Sequence, residues 1–175
     1  MHLFVNGSAA SAGGGLTYLR NVLPELASRS DVQTTVALGD GLRSEFTGLP
    51  NTSFVSLPAS RSAIARFWHE QTKLGRVIEQ SGAEVLLSAG NFALRRSPIP
   101  QILLSGNSLY VSKAFVKDLR ERREVSLWLD NFAKAALAKR SLAWADYTVA
   151  PTEAFAQQLR DWGGGDIKAI HHGFD

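Results

Sequence analysis

The stretch that decides the fold is the first one: Met1-His2-Leu3-Phe4-Val5-Asn6-Gly7, followed after three small residues by Ser11-Ala12-Gly13-Gly14-Gly15-Leu16. Leu3 to Asn6 is a short apolar run closed by glycine, the signature of a strand covered on both faces. From Leu16 the period changes: Leu16, Leu19, Leu23 and Leu26 step by three and four, which lines up one face of a helix. Strand, glycine-rich turn and helix make the opening half of a βαβ unit. The first residues lack a basic region followed by a long apolar run, so they read as a strand and not as a signal peptide.

The same alternation continues outward from that unit. Further strands are expected at Val32 to Leu38, Ser53 to Leu57, Glu84 to Ser88, Gln101 to Ser105, Tyr147 to Ala150 and Ile167 to His171. Most are continuous Val, Leu and Ile runs, as parallel strands buried on both faces require. Between them, Ile64, Phe67, Trp68, Gln71, Leu74 and Ile78 form a second helical stripe, and Phe155, Leu159 and Trp162 a third. Thr152 is placed to cap the last helix, and Gly163-Gly164-Gly165 to stop it. Lys113 to Ala143 reads as helix in two pieces, and Pro24 should kink the first helix or end its regularity. The expected fold is therefore α/β: a Rossmann-like open parallel sheet of about seven strands with helices on both faces, in one domain over residues 1–175.

Composition limits the function classes. The 175 residues are 45% apolar and 20% charged, the balance of a globular domain able to bury its own core. With no cysteine, disulfides and thiolate metal sites are excluded. No stretch approaches the roughly 18 apolar residues of a membrane-spanning helix. The net charge is +3, but between Ser112 and Trp144 eight Lys or Arg (Lys113, Lys117, Arg120, Arg122, Arg123, Lys134, Lys139, Arg140) face four acids, leaving that segment at +4. A solvated helix face is the plain reading; contact with anionic lipid or phosphate is the sharper one. The interleaved acids and the lack of a recognition motif argue against nucleic acid.

In open parallel sheets, ligands bind beyond the carboxyl ends of the strands. Three polar clusters fall there. Gly13, Gly14 and Gly15 precede the first helix, where glycine lets backbone approach a phosphate and the helix start offers free N–H groups. The run has neither the third glycine of the dinucleotide fingerprint nor the Gly-Lys-Ser/Thr of a P-loop. Asp40, between Gly39 and Gly41, is a turn residue and not a ribose-binding acid. The other clusters are Ser88-Ala89-Gly90-Asn91 and Ser105-Gly106-Asn107-Ser108, whose asparagines can donate to and accept from sugar hydroxyls. Taken singly, each Gly-Asn simply turns the chain; three clusters on one edge point to a cleft. His2, His69, His171 and His172 show no metal-ligand spacing, and no nucleophile triad or carboxylate pair appears.

With these residues in place, the chain resembles the N-terminal domain of retaining GT-B glycosyltransferases, the group 1 or family 4-like enzymes. The first strand with Gly13-Gly14-Gly15 carries part of the resemblance. Ala145-Asp146-Tyr147-Thr148-Val149-Ala150-Pro151-Thr152-Glu153 is similar to the family's strand-to-helix segment, and Ile167-Lys168-Ala169-Ile170-His171-His172-Gly173-Phe174-Asp175 to the ending of its N-terminal domain. The resemblance implies an acceptor-side domain whose donor-binding C-terminal partner is absent from this chain, which alone should transfer no sugar. It implies hexosyl transfer from a sugar nucleotide to a lipid-linked or polysaccharide acceptor, with no cofactor and no metal, in cell-envelope polysaccharide synthesis. Gly13, Gly14 and Gly15 would then face the donor diphosphate. Asn91, Asn107, Ser108 and Tyr110 would meet the acceptor, and His172 and Gly173 would begin the interdomain hinge. The histidine that many relatives carry after the fifth strand is replaced here by Gly106-Asn107, so no catalytic side chain is carried over. The expected location is cytoplasmic, with peripheral contact to anionic membrane through the basic segment and Phe115, Trp128, Phe132 and Trp144. The reading set against it is a non-catalytic Rossmann-like module that binds a nucleotide or a protein.

Overall fold

The computed structural model describes residues 1–10, 13–57 and 62–171. Seven parallel strands form one sheet: β1 (His2–Asn6), β2 (Gln33–Gly39), β3 (Thr52–Leu57), β4 (Val85–Ser88), β5 (Gln101–Leu104), β6 (Tyr147–Ala150) and β7 (Ile167–Ala169). Their spatial order is β3-β2-β1-β4-β5-β6-β7. The chain thus winds outward from β1 in one direction, then returns to build the other half from β4. The switch falls between β1 and β4, where Asn6 pairs with Ser88. In doubly wound sheets this is where a crevice opens at the carboxyl edge. All seven strands expected from the sequence are present, the last ending two residues early at Ala169.

The helices are α1 (Gly13–Ser28), α2 (Ala63–His69), α3 (Gly75–Ser81), α4 (Lys113–Glu121), α5 (Val125–Trp144) and α6 (Glu153–Gly163). A π turn over Glu70–Leu74 joins α2 to α3, and 3-10 turns follow β2 and β5. The core forms three clusters. Leu16, Leu19 and Leu23 of α1 cover Leu3, Val5, Val36 and Leu38 on one face. Leu74 and Ile78 cover Phe4, Leu57 and Leu86 on the other. Leu142, Phe155 and Leu159 pack with Leu103, Ala150 and Ile167. Each fully buried Leu or Ile contributes about 1.5–3 kcal/mol, so these stripes hold the sheet.

Local chemistry sets the helix ends. Ser62, Ser112 and Thr152 accept from the backbone N–H groups of Ala65, Phe115 and Phe155 at 3.1, 3.1 and 3.2 Å. The expected cap at Thr152 is thus present, and Gly164, with φ 74°, ends α6 in a conformation that glycine tolerates.

One expectation is narrowed and one needs correction. Of a kink or an end at Pro24, the end is ruled out: helix α1 runs four residues further, to Ser28. Pro24 is solvent-exposed, so the carbonyl that loses its intrahelical partner can be hydrated. In the second stripe, Phe67, Leu74 and Ile78 are buried, whereas Ile64 and Trp68 are 48% and 63% exposed. The inward place between Phe67 and Leu74 belongs to Glu70.

Candidate functional site

The carboxyl ends of β1, β4, β5 and β6 meet at a pocket of about 380 Å³. Gly14, Gly15 and Tyr18 of α1 form one side; Ala89, Asn91, Gly106 and Asn107 form the other, with Leu104 and Pro151 behind. A larger groove of about 620 Å³ lies at the amino edge, around Met1, His2 and Glu84, where no expected site residue falls.

Three loops build this edge, and side chains tie them together. Asn91 adopts a left-handed conformation, φ 64°, which asparagine tolerates better than most residues. That turns its Oδ1 towards the next loop, where it accepts from the N–H groups of Gly106 and Asn107 at 2.7 and 2.9 Å. Asn107 Oδ1 in turn accepts from Leu109 N at 3.1 Å and caps the turn Ser108–Tyr110. Gln71 holds the other end of the β4–β5 loop: Nε2 donates to Ala93 O and Oε1 accepts from Arg95 N, both at 2.9 Å.

Its neighbour Glu70 points the opposite way, to the turn after β1. Glu70 is 5% exposed. Its Oε1 lies 2.5 Å from the hydroxyl of Ser8, and its Oε2 accepts from Asn6 Nδ2 at 3.3 Å. Desolvation raises the Glu70 carboxyl above its ordinary range, opposed by the bonds from Ser8 and Asn6 and by the nearby charges of Arg66 and His69. Arg66 Nε lies 3.7 Å from Oε1. Burial also raises the phenol of Tyr18, a residue that lines the pocket.

Of the residues expected from the sequence, Gly14, Gly15, Asn91 and Asn107 converge on this pocket. Gly13, with φ 64°, opens α1 beside them. Ser108 lines a separate groove with Lys113 and Trp162, and Tyr110 stacks on Phe92 with ring centroids 6.3 Å apart. Ser11, Ala12, His172 and Gly173 lie outside the described residues. Tyr18 and Glu70 were not singled out by the sequence, and Gln71 was placed only in the second helical stripe, not at a site. Among the described residues, no group of three His, Cys, Asp or Glu could hold a metal ion.

An open parallel sheet with a switch point and a glycine-walled pocket at its carboxyl edge is the architecture of a Rossmann-like GT-B N-terminal domain. The Glycosyltransferase Family 4 model matches residues 12–175, and the chain belongs to that family. No curated protein matches it by sequence.

Similar solved structures include MnaA of S. aureus with UDP (TM-score 0.62, 14% identity, 95% of this chain and 42% of that one). They also include apo UGT2 of Phytolacca americana (TM-score 0.63, 12% identity, 99% and 51%). A third is the UDP-GlcNAc 2-epimerase of Neisseria meningitidis bound to UDP-GlcNAc (TM-score 0.59, 14% identity, 96% and 46%). At such identities the likeness is one of fold. The chain spans about half the length of these structures.

Proposed function

We propose that this domain forms the acceptor-side wall of a retaining glycosyltransferase that moves a hexosyl group from a sugar nucleotide to a lipid-linked or polysaccharide acceptor. One observation carries the reading: Gly14, Gly15, Asn91, Gly106 and Asn107 converge on one pocket at the switch point. Family membership and the UDP or UDP-GlcNAc named for two neighbours support a nucleotide-sugar partner. In the proposed reaction the bond from the anomeric carbon to the diphosphate breaks. The acceptor oxygen bonds on the same face, and its proton passes to the departing diphosphate. Backbone N–H groups at Gly13 to Gly15 would stabilise the charge gathering there, as preorganised donors do in a water-poor cleft. Asn107 would orient the acceptor at this pocket, with Asn91 holding its loop, and Ser108 would meet an acceptor only where that acceptor extends into the neighbouring groove. The step uses no metal.

The donor's other contacts would come from a C-terminal Rossmann-like domain joined at the hinge that His172 and Gly173 begin. The test is turnover of a radiolabelled sugar nucleotide by the 175-residue chain, alone and joined to such a domain, with and without EDTA. The expected result is transfer only by the joined protein, unaffected by chelation. Binding of a nucleotide with no transfer by either would favour a non-catalytic module.

Contact with the inner face of a membrane belongs to the same proposal. Val125, Leu129 and Phe132 share one side of α5 and are 62%, 53% and 63% exposed, with Arg120 over the Trp128 ring at 5.4 Å. No helix among the described residues is long and apolar enough to cross a membrane. Co-sedimentation with phosphatidylglycerol vesicles should be lost on Phe132→Ser and weakened by salt; salt-insensitive or absent binding would remove this part.

A further inference from the structure

A set of short polar contacts lies in the turn after β1, and their hydrogen atoms can be counted. Ser8 Oγ lies 2.8 Å from Asn6 Oδ1 and 2.5 Å from Glu70 Oε1. A hydroxyl has one proton to give. If Glu70 is ionised, both neighbours are acceptors, and one of the two contacts has no hydrogen between its oxygens. Rotating the Asn6 amide does not help. Ser8 N donates to the same Oδ1 at 3.3 Å, and Oε2 would then face an oxygen where it now faces Nδ2 at 3.3 Å.

A proton on Glu70 satisfies every contact with Ser8 and Asn6. Oε1–H donates to Ser8 Oγ, Ser8 Oγ–H to Asn6 Oδ1, and Asn6 Nδ2–H to Oε2, which closes a ring of three hydrogen bonds. The site favours the neutral acid as well, because Glu70 and Asn6 are only 5% and 3% exposed. The charged or titratable groups facing it are Arg66, at 3.7 Å, and His69, both on its own helix; they oppose the desolvation that favours the neutral acid. From the turn after β1 it meets the neutral Ser8, and from β1 the neutral Asn6.

We propose that Glu70 is held as the neutral acid and acts as a positioning residue: its proton closes a ring with Ser8 and Asn6 that locks the turn directly after β1, at Gly7 to Ala10, and ionisation releases that turn as pH rises. The π turn gives the device its reach. Its first two residues grip two loops, Glu70 the turn after β1 and Gln71 the loop at Ala93 and Arg95. π turns recur at functional sites because they re-aim side chains within a helix. That the locked turn leads into a wall facing the donor diphosphate rests on the function proposed above; the protonation and the order of the turn do not.

The experiment is carbon-detected NMR of the protein labelled with ¹³C-glutamate, together with amide exchange, on wild type and Glu70→Gln. The glutamine amide can donate to Ser8 and accept from Asn6, so this variant keeps the ring without a titrating group. One carboxyl resonance, missing from Glu70→Gln, should titrate above the ordinary carboxylate range. Across that transition the Ser8 and Ala10 amides should exchange faster than in Glu70→Gln at the same pH, by about threefold or more, the effect of one net hydrogen bond. If Glu70→Gln does not fold, Ser8→Ala assigns the resonance by displacing it. Titration of Glu70 within the ordinary range, or exchange that parallels Glu70→Gln at every pH, would overturn the proposal. UDP-sugar affinity of the protein joined to its donor domain separates the two readings. A fall through the same transition, absent in Glu70→Gln, supports both; affinity indifferent to it while the ring titrates leaves the ring standing and counts against the donor-facing wall.

Discussion

Asp146 and Gln101 hold each other reciprocally: Asp146 N donates to Gln101 O at 3.0 Å, and Asp146 Oδ2 accepts from Gln101 N at 2.7 Å. The Ala-Asp segment before β6 thereby sets where β5 and β6 begin side by side. A hydrogen bond to a charged acceptor is worth about 1.5–3 kcal/mol, less where water competes. Asp146 is exposed, so Asp146→Ala should cost about 1–2 kcal/mol in urea unfolding. Asp146→Asn, which keeps an acceptor oxygen, should cost less than half of that.

The side chain of Gln101 makes a second prediction. It is fully buried, yet all its polar atoms are used: Oε1 accepts from Ser88 Oγ at 3.1 Å and Leu94 N at 2.7 Å, while Nε2 donates to Leu94 O at 3.1 Å. Gln101→Leu keeps the size but strands the buried Ser88 hydroxyl and both backbone groups of Leu94. The expected loss is about 2–4 kcal/mol, well beyond an isosteric swap in an apolar core. A change under about 1 kcal/mol in denaturant melts would mean that water replaces these bonds.

Glu70 makes stability depend on pH with a definite sign. Its folded carboxyl lies above the ordinary range because burial disfavours the anion. Between its unfolded and folded values the native state binds the extra proton, so stability falls as pH rises through that window. Below the window the group contributes no slope, and above it the loss is complete. Thermal melts of wild type and Glu70→Gln across that range should converge at the acid end and separate at the alkaline end. Wild-type stability that rises with pH relative to the variant would reverse the assignment.

Much of this was legible in the sequence because one-dimensional signals carried it. Short apolar runs, most of them continuous Val, Leu and Ile, marked the seven strands, and Thr152 and Gly164 marked both ends of α6. The glycine run and the two Gly-Asn turns could be placed at one edge because parallel topology puts every strand end there. Glu70 was not legible. Hydrophobic periodicity assigns Trp68 inward and a glutamate outward, but the helix does the reverse, since Ser8 and Asn6 from another part of the chain offer the carboxyl its partners. The roles of Asn91 and Asn107 could not be separated either: both were expected at an acceptor, whereas the hydrogen bonds of their Oδ1 atoms brace loops. Such partners are set by tertiary contact, to which local pattern is blind.

Asn91 combines a backbone role with a side-chain role, and two substitutions separate them. Asn91→Gly keeps the left-handed φ of 64° without strain but loses both bonds to the next loop. Asn91→Ala loses the bonds and adds the cost of that conformation, about 1–2 kcal/mol. Both variants should free the amides of Gly106 and Asn107 to exchange, and the alanine variant should be less stable by about 1 kcal/mol or more. Equal stability would mean that the loop abandons the left-handed conformation once the side chain is gone.

Gly90 is where the β4–β5 loop touches the turn after β1. A Cβ there would sit 2.7 Å from the Cβ of Ala9, a methyl fixed to backbone that cannot swing aside. Gly90→Ala must therefore push the two loops apart, at about 1–3 kcal/mol by analogy with overpacked cores. The displacement falls on the same turn that Glu70 grips through Ser8. The contact is specific enough to be relieved: with Ala9→Gly, the nearest atom to the new Cβ is the Ala9 Cα position at 4.0 Å, an ordinary contact. The double variant Ala9→Gly with Gly90→Ala should recover most of the stability lost by Gly90→Ala alone. Urea unfolding of the four proteins measures this as a coupling energy, expected at about 1 kcal/mol or more. Additive losses would show that the two loops do not press on each other.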